Sequence, residues 1–416
     1  MRVLMIAWEY PPHLVGGLGA HVAGLSPELA TAGTHVTVLT PLLAGGEVHE
    51  TTREGVRIVR VALPPSDHHD LGTFVAHTNN RLELAAHIIY TQCGGFDIIH
   101  THDWLTAASS ISLKKYWHIP LLATIHATER GRGQGNLQGE MANHINNLEW
   151  QLSYEAWRVI VCSSFMKQQL KETLGTPFDK MDVIPNGINS QQYPFQNDEE
   201  RQTFRRTYAA DDEAIIFYVG RIVYEKGLHI LIDSYQHIRK HTKAHIVIAG
   251  TGHYIEPLKN QAQALGICDV VTFTGFISDE ELNRLYHVAD VATFPSLYEP
   301  FGIVVLQAFA SGTPVVVSRT GGLMEIVEDR RTGLTVTPGD AHQLALGIVE
   351  TIQQKETTKQ YIANASEVLH NLYSWKQIAY KTRRIYDQIY QEWQASSWGK
   401  QKHSVPCASP SLDLLD

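Results

Sequence analysis

The 416-residue chain holds four cysteines, Cys93, Cys162, Cys268 and Cys407, scattered too widely for a zinc-type pair or a disulfide framework. So few thiols, so spread, fit a reducing compartment. No stretch reaches the roughly 20 apolar residues that a membrane span requires, and the opening MRVLMIAWEYPP has an apolar run of only a few. A cytoplasmic protein without integral membrane association is expected. Basic excess is missing too: the formal charge is −9, which argues against nucleic acid or an anionic membrane as the main partner while leaving room for a local basic pocket. Neutral or small-molecule partners are expected instead. No D-x-D pair precedes the final DLLD, so nothing obvious would hold a catalytic magnesium.

What is present is ordinary for a globular protein: 44% hydrophobic and 19% charged residues. The length exceeds what one core usually supports, so two domains are expected. Short β-rich runs recur at 2–8, 34–40, 96–102, 120–126, 158–164 and 181–187, with helical periodicity between most of them, as over 76–92, 103–117 and 138–157. Residues 48–61 read as an extra β excursion. After the polar stretch 185–202 the pattern restarts, with strands at 214–221, 244–250, 269–275, 290–296, 313–318 and 333–338. Strands apolar on both faces and separated by helices make parallel sheets covered on both sides. The predicted organisation is a first domain over 1–190, a second over 191–374, a helix over 375–396 and a disordered tail over 397–416. That helix carries Trp375, Ile378, Ile385, Ile389 and Trp393 at helical spacing, as a segment packed on a domain would. Two doubly wound α/β domains place ligands at the carboxyl ends of their strands, which predicts a cleft faced by both.

Four segments could carry chemistry. In VGRIVYEKG (219–227), Arg221 follows a strand and Lys226 precedes a helix, so both cations point toward one place suited to a diphosphate; the alternative is a solvated surface turn. PPHLVGGLGAHV (11–22) contains Gly16, Gly17 and Gly19 but has two prolines after the strand and no acid ending the second strand. It therefore reads as a glycine loop able to close on a phosphate or sugar rather than a nicotinamide fingerprint. Pro27 is expected to disturb the helix that follows. TIHATERGRG (124–133) clusters His126, Glu129, Arg130 and Arg132, either as sugar-binding groups or as a plain connecting loop. In YEPFG (298–302), Glu299 precedes a helix start and either caps it or serves the site. His100, His102 and Asp103 in IIHTHDW, and the SDHHD run at 66–70, are the best metal candidates. Neither has a matching second cluster in the sequence, so no metal site is expected.

Together WEYPPHLVGGLGAHV, HTHDW, TIHATERGR, VIPNGIN, VGRIVYEKGLHILI, FPSLYEPFGIVVLQAFASGTPVVVS and GGLMEIVEDRRTGLTVTPGD resemble, in this order and over nearly the whole chain, the GT-B retaining glycosyltransferases of family 4, relatives of glycogen and starch synthases. The resemblance implies two Rossmann-like domains and transfer of a hexosyl group, glucosyl above all, from ADP- or UDP-glucose to a sugar or α-glucan acceptor. It implies retention of configuration and no cofactor. It puts Arg221 and Lys226 on the donor diphosphate, Glu299 on the donor sugar, and the amides of Phe301 and Gly302 on that sugar's hydroxyls. Gly16 and Gly17 match the loop over the phosphates and His126 the histidine near the reacting carbon; Asp103 and Glu129 join the expected sugar contacts. Gln307 stands where the family has a second glutamate at the nucleotide ribose, which puts charge-based contact there in doubt. A nucleotide-sugar epimerase on the same fold and a non-catalytic nucleotide-sugar-binding protein are the competing readings.

Overall fold

The computed structural model describes residues 1–63, 70–189 and 193–401. The SDHHD run lies outside them except for Asp70, as do Cys407 and most of the expected tail. The chain divides into two compact units, Ile188–Ser374 and the remainder, so the last segment returns to the unit that the first residues begin.

The first unit is built on an eight-stranded sheet: β1 Arg2–Ile6, β2 His35–Pro41, β3 His49–Thr51, β4 Arg57–Val61, β5 Ile98–His102, β6 Leu121–Ile125, β7 Arg158–Val161 and β8 Met181–Val183. Their spatial order is β3-β4-β2-β1-β5-β6-β7-β8. All neighbours run parallel except β3, which turns back on β4 with His49 opposite Val59. The β excursion expected over 48–61 is thus a hairpin whose second arm joins the parallel sheet. β1, β5 and β6 are buried almost throughout: β1 after Arg2 and β6 but for Thr124 are apolar, as strands covered on both faces are, whereas β5 brings His100 and His102 into the interior.

Helix Gly17–Thr31 lies over β1 and β2, with Val22, Leu25 and Leu29 fully buried. Pro27 sits inside this helix without ending it. The expected disturbance is overridden because leucines on both sides of Pro27 anchor the helix to the core, at about 1.5–3 kcal/mol for each buried side chain. Helix Trp375–Ala395 packs against the same helix, burying Trp375, Ile378, Ile389 and Trp393 and partly covering Ile385. Its Tyr386 reaches the sheet, placing its hydroxyl 2.7 Å from Nδ1 of His100.

The second unit carries β9 Ala214–Val219, β10 Ala244–Ala249, β11 Val271–Gly275, β12 Val291–Phe294, β13 Val315–Ser318 and β14 Leu334–Val336. The order is β11-β10-β9-β12-β13-β14, all parallel. Relabelled by sequence this is 3-2-1-4-5-6, the doubly wound dinucleotide-type order, whose direction reverses between β9 and β12. The first sheet, its hairpin arm aside, follows the same scheme and reverses between β1 and β5. Ligands of such sheets bind beyond the carboxyl ends of the strands on either side of the reversal. In the second unit those ends lead to Gly220–Arg221 and to Pro295–Glu299; in the first, to Ala7–Gly16 and to Asp103. Among the described residues no helix is long and apolar enough to cross a membrane.

Candidate functional site

In the second unit the chain leaves β9 through Gly220 and Arg221, makes a single turn over Tyr224–Lys226, and enters helix Leu228–Ile238 at Gly227. The amides of Leu297 and Tyr298 donate to the Glu225 carbonyl at 2.8 and 3.2 Å, pinning the β12 loop to that turn. This brings Lys226 Nζ to 2.8 Å from Glu299 Oε2, although the two residues are 73 positions apart. Both side chains are largely covered, at 16% and 12% exposure. Arg221 is different: its side chain is 44% exposed and its guanidinium stands 3.6 Å from Glu225, so it is the freer cation.

Of the two readings open for Glu299, capping is not what the structure shows. Helix Ile303–Ala310 begins at Gly302 with no side-chain cap bond, and the Glu299 carboxylate turns its Oε2 to Lys226. The Glu299 carbonyl instead receives the Gly322 amide at 2.9 Å. Phe301 is buried against Tyr373, so only its backbone can face a ligand. Gln307 lies one helical turn beyond Ile303, with its side-chain Oε1 accepting from the Tyr286 hydroxyl at 3.4 Å, a hydroxyl whose closer acceptor is the Val304 backbone carbonyl at 2.9 Å.

In the first unit β5 ends in His102 and Asp103. Asp103 has a left-handed backbone (φ 57°), an unusual conformation for a non-glycine residue and one that collects at functional sites. Its carboxylate accepts the His126 amide at 2.6 Å and so joins the ends of β5 and β6. His126 Nε2 is 3.2 Å from His102 Nδ1. Glu129 opens the short helix Glu129–Arg132 and contacts Arg132 at 3.4 Å. Gly16 and Gly17 start helix Gly17–Thr31, where the amides of Val15 and Gly16 donate to Glu9 Oε2 at 2.9 and 3.0 Å. The glycine loop expected to meet a phosphate already holds a carboxylate.

Three groups were not singled out from the sequence. Glu9 is one. His21 is another, one turn into the glycine-led helix, with its ring centroid 4.8 Å from that of His126 and Nδ1 2.7 Å from Asn186 Oδ1. The third is Glu149, which accepts the Glu129 amide at 2.8 Å while its second oxygen is buried without a hydrogen-bond partner. His21 and Glu149 are placed by contacts 165 and 20 positions away, and Glu9 by the fold of the loop six and seven residues on, so no spacing in the sequence announces them.

Electrostatics follow burial. Desolvation pushes the Glu149 carboxyl up to about 8 and that of Asp103 to about 6, against the pull of Arg132 on both. It lowers His21 and His126 to about 3 and takes His100 and His102 well below the usual imidazole range, with the neighbouring rings reinforcing the effect in all but His126. The four rings are neutral in the fold but charge in the unfolded chain below pH 6.5. Each therefore contributes stability that is present above that pH and lost as it falls, by up to about 1.4 kcal/mol per pH unit. Asp103 and Glu149 act oppositely, favouring the fold when protonated and losing that contribution as pH rises toward 6 and 8. Four rings outweigh two acids, so thermal unfolding followed from pH 4.5 to 9 should give a maximum near pH 6.5–7, with a steeper fall on the acid side. A midpoint that climbs steadily into acid would contradict neutral buried histidines.

Residues 15–192 match the family described as Glycosyltransferase Family 4, and residues 200–368 match Glycosyl transferases group 1. An uncharacterised glycosyltransferase of Methanocaldococcus jannaschii is 36% identical over 388 residues, 93% of this chain and 98% of that one. The glycogen synthase of Mycobacterium tuberculosis is 34% identical over 399 residues, 93% and 94% of the two chains. Among solved structures, sucrose-phosphate synthase from Thermosynechococcus elongatus superposes with a TM-score of 0.80 at 25% identity, covering 94% of this chain and 99% of that one. With two parallel-sheet units of this topology and these relatives along nearly its full length, the chain belongs to the GT-B glycosyltransferases of the family 4 type, enzymes that use nucleotide-sugar donors.

Proposed function

We propose that this glycosyltransferase is a retaining, metal-independent hexosyltransferase that moves glucose from ADP- or UDP-glucose to an α-glucan or another sugar acceptor. The observation that carries the proposal is the Lys226–Glu299 pair with Arg221 beside it, set at the carboxyl ends of β9 and β12 where the second sheet reverses. Two cations there neutralise the charge that grows on a departing diphosphate, a task often given to a metal. Glu299 aims Lys226 and offers its free carboxylate oxygen to the donor sugar. The first amides of helix Ile303–Ala310, beginning with Gly302, face the same end and suit sugar hydroxyls.

In the proposed reaction the acceptor hydroxyl attacks the anomeric carbon on the face from which the diphosphate leaves. The carbon–oxygen bond to the diphosphate breaks as the new glycosidic bond forms, and a donor phosphate oxygen takes the acceptor's proton. Glu299 is then a positioning group and not a nucleophile. From the first unit, His126, Asp103 and Glu129 serve as sugar contacts and the Gly16–Gly17 loop as a phosphate contact. Glucose and an α-glucan are favoured because the WEYPP and GGLG opening resembles that of α-glucan synthases and because the glycogen synthase relative matches over 93% of this chain.

Incubation of the purified protein with a panel of nucleotide sugars, with and without glycogen or maltooligosaccharide, tests this reading. Acceptor-dependent nucleotide release from ADP- or UDP-glucose is expected, and release from no donor would overturn it. Sugar interconversion without acceptor would favour an epimerase. Gln307 adds a second test. The charge-assisted hydrogen bond of a glutamate to a ribose hydroxyl is about twice as strong as that of an amide, so Gln307→Glu should lower the donor KM about three- to tenfold with kcat little changed. An unaltered KM would take position 307 away from the ribose.

A further inference from the structure

We infer that His21, His102 and His126 form a binding site for one borderline-soft divalent cation, with Zn²⁺ the best fit. One ring nitrogen from each residue lies within 4.8 Å of the others, and the three residues come from three different elements: the helix after the glycine loop, the end of β5 and the loop after β6. The separate hydrogen-bond patterns of the rings make the argument specific. Asn186 Oδ1 is a carbonyl oxygen and can only accept, so the proton of His21 sits on Nδ1 and Nε2 presents a bare lone pair. That Nε2 is buried and has no hydrogen-bond partner. His102 faces His126 with its Nδ1, which lies 3.2 Å from His126 Nε2, so these are the two nitrogens that the remaining rings offer to the site.

His100, whose ring centroid is 4.4 Å from that of His102, behaves as a core histidine should. Both of its nitrogens are engaged, with the Tyr386 hydroxyl and the Thr124 hydroxyl, each at 2.7 Å. An unsatisfied buried polar atom costs about 1–3 kcal/mol, so the bare Nε2 of His21 calls for an explanation. A cation that binds this lone pair together with the facing nitrogens of His102 and His126 supplies it.

The geometry is within reach. Three points 4.8 Å apart have their centre 4.8/√3, or about 2.8 Å, from each. Zinc–imidazole bonds are about 2.0–2.1 Å, so each ring would close by about 0.7 Å, a small torsional change. An all-imidazole set selects Zn²⁺, Ni²⁺ or Cu²⁺ over Mg²⁺ or Ca²⁺, which prefer oxygen. His21 already has the outer contact typical of zinc ligands, its second nitrogen donating to a carbonyl. The cation takes the place of the His102–His126 contact and leaves a fourth position open. Its consequence for turnover rests on the function proposed above: a cation that engages His126 withdraws that ring from the sugar and inhibits transfer.

Titration of ZnCl₂ into the full chain by calorimetry at neutral pH, with CoCl₂ followed by its visible ligand-field bands, measures the site directly. One saturable equivalent is expected for Zn²⁺, cobalt bands typical of low coordination that Zn²⁺ abolishes, and no response to MgCl₂. His21→Ala and His102→Ala should each weaken Zn²⁺ binding at least tenfold, and His245→Ala in the second unit should not. Anomalous scattering from Zn²⁺-soaked wild-type crystals needs no variant to fold and should place one peak among the three rings. No saturable binding, a peak elsewhere, or wild-type affinity in His21→Ala overturns the inference. Tight binding that leaves transfer undiminished would support the metal site and count against His126 as a sugar contact.

Discussion

Lys226→Ala should lower kcat by about 10²–10³-fold, the usual loss when one preorganised group stabilising transition-state charge is removed. The ammonium is not loose in solvent. It is held 2.8 Å from Glu299 by a turn that two backbone hydrogen bonds tie to the β12 loop, so little reorganisation is needed when charge develops on the leaving oxygen. Truncation also leaves the Glu299 carboxylate, whose side chain is only 12% exposed, without its partner. Breaking a buried ion pair from one side costs about 3–5 kcal/mol, and the remaining exposure of both side chains puts the value here toward the lower end. The two effects separate in the double variant Lys226→Ala/Glu299→Gln. Removing the stranded charge restores the melting temperature, while turnover stays low because the leaving group still lacks its cation. Circular dichroism, thermal unfolding and nucleotide release on the three proteins provide the check. A rate close to wild type in the folded single variant would take Lys226 out of the chemistry.

The second large effect is structural and falls one residue later. Gly227 has φ +70°, and a Cβ built there would stand 2.0 Å from the Pro295 carbonyl oxygen. Alanine at this position meets both the left-handed backbone penalty and a collision with main chain, which cannot swing aside as a side chain can. Gly227→Ala is therefore expected to cost at least about 3 kcal/mol, or a drop of about 6–12 °C in the melting temperature of a unit this size. Because Pro295 leads to Glu299 and Gly227 follows Lys226, relief of the clash must separate the paired side chains, and donor KM should rise together with the loss of stability. Gly175→Ala is the control. It has nearly the same φ, +69°, with nothing within 4 Å of the added carbon, so only the backbone penalty of about 1–2 kcal/mol remains. Equal losses in the two variants would show that the approach to Pro295 carries no weight.

Much of this architecture could be read along the chain. Strands such as VLMI in β1 and VVVS in β13 are buried on both faces, so their composition alone separates them from the amphipathic helices between. The restart of the pattern after residue 202, the glycine loop, and the cations flanking the turn after β9 were equally visible, since each depends on neighbours a few positions away. The hairpin within 48–61 was readable only as β structure: that its second arm joins the main sheet depends on pairing with β2. Pro27 argued for a broken helix, and packing on both sides of it prevailed.

The candidate site divides along the same line. Glu299 beside Phe301 and Gly302 stands out in the sequence, yet position left it as either a cap or a site residue; the 73-residue reach from Lys226 gives its carboxylate a partner. Nothing in the sequence singles out Glu149 or Glu9. One is a buried carboxyl raised to about 8 and the other occupies the amides of the glycine loop.

Local periodicity and turn chemistry act over a few residues, and so the order of residues alone was enough to mark the elements, the restart between the two halves and the motifs at the strand ends. Which histidines share one pocket, which acid meets which base, and how far each proton affinity shifts depend on desolvation and on contacts between residues tens to hundreds of positions apart. His21 with Asn186 and His100 with Tyr386 are such contacts. They come into being when the first unit packs and water leaves its interior.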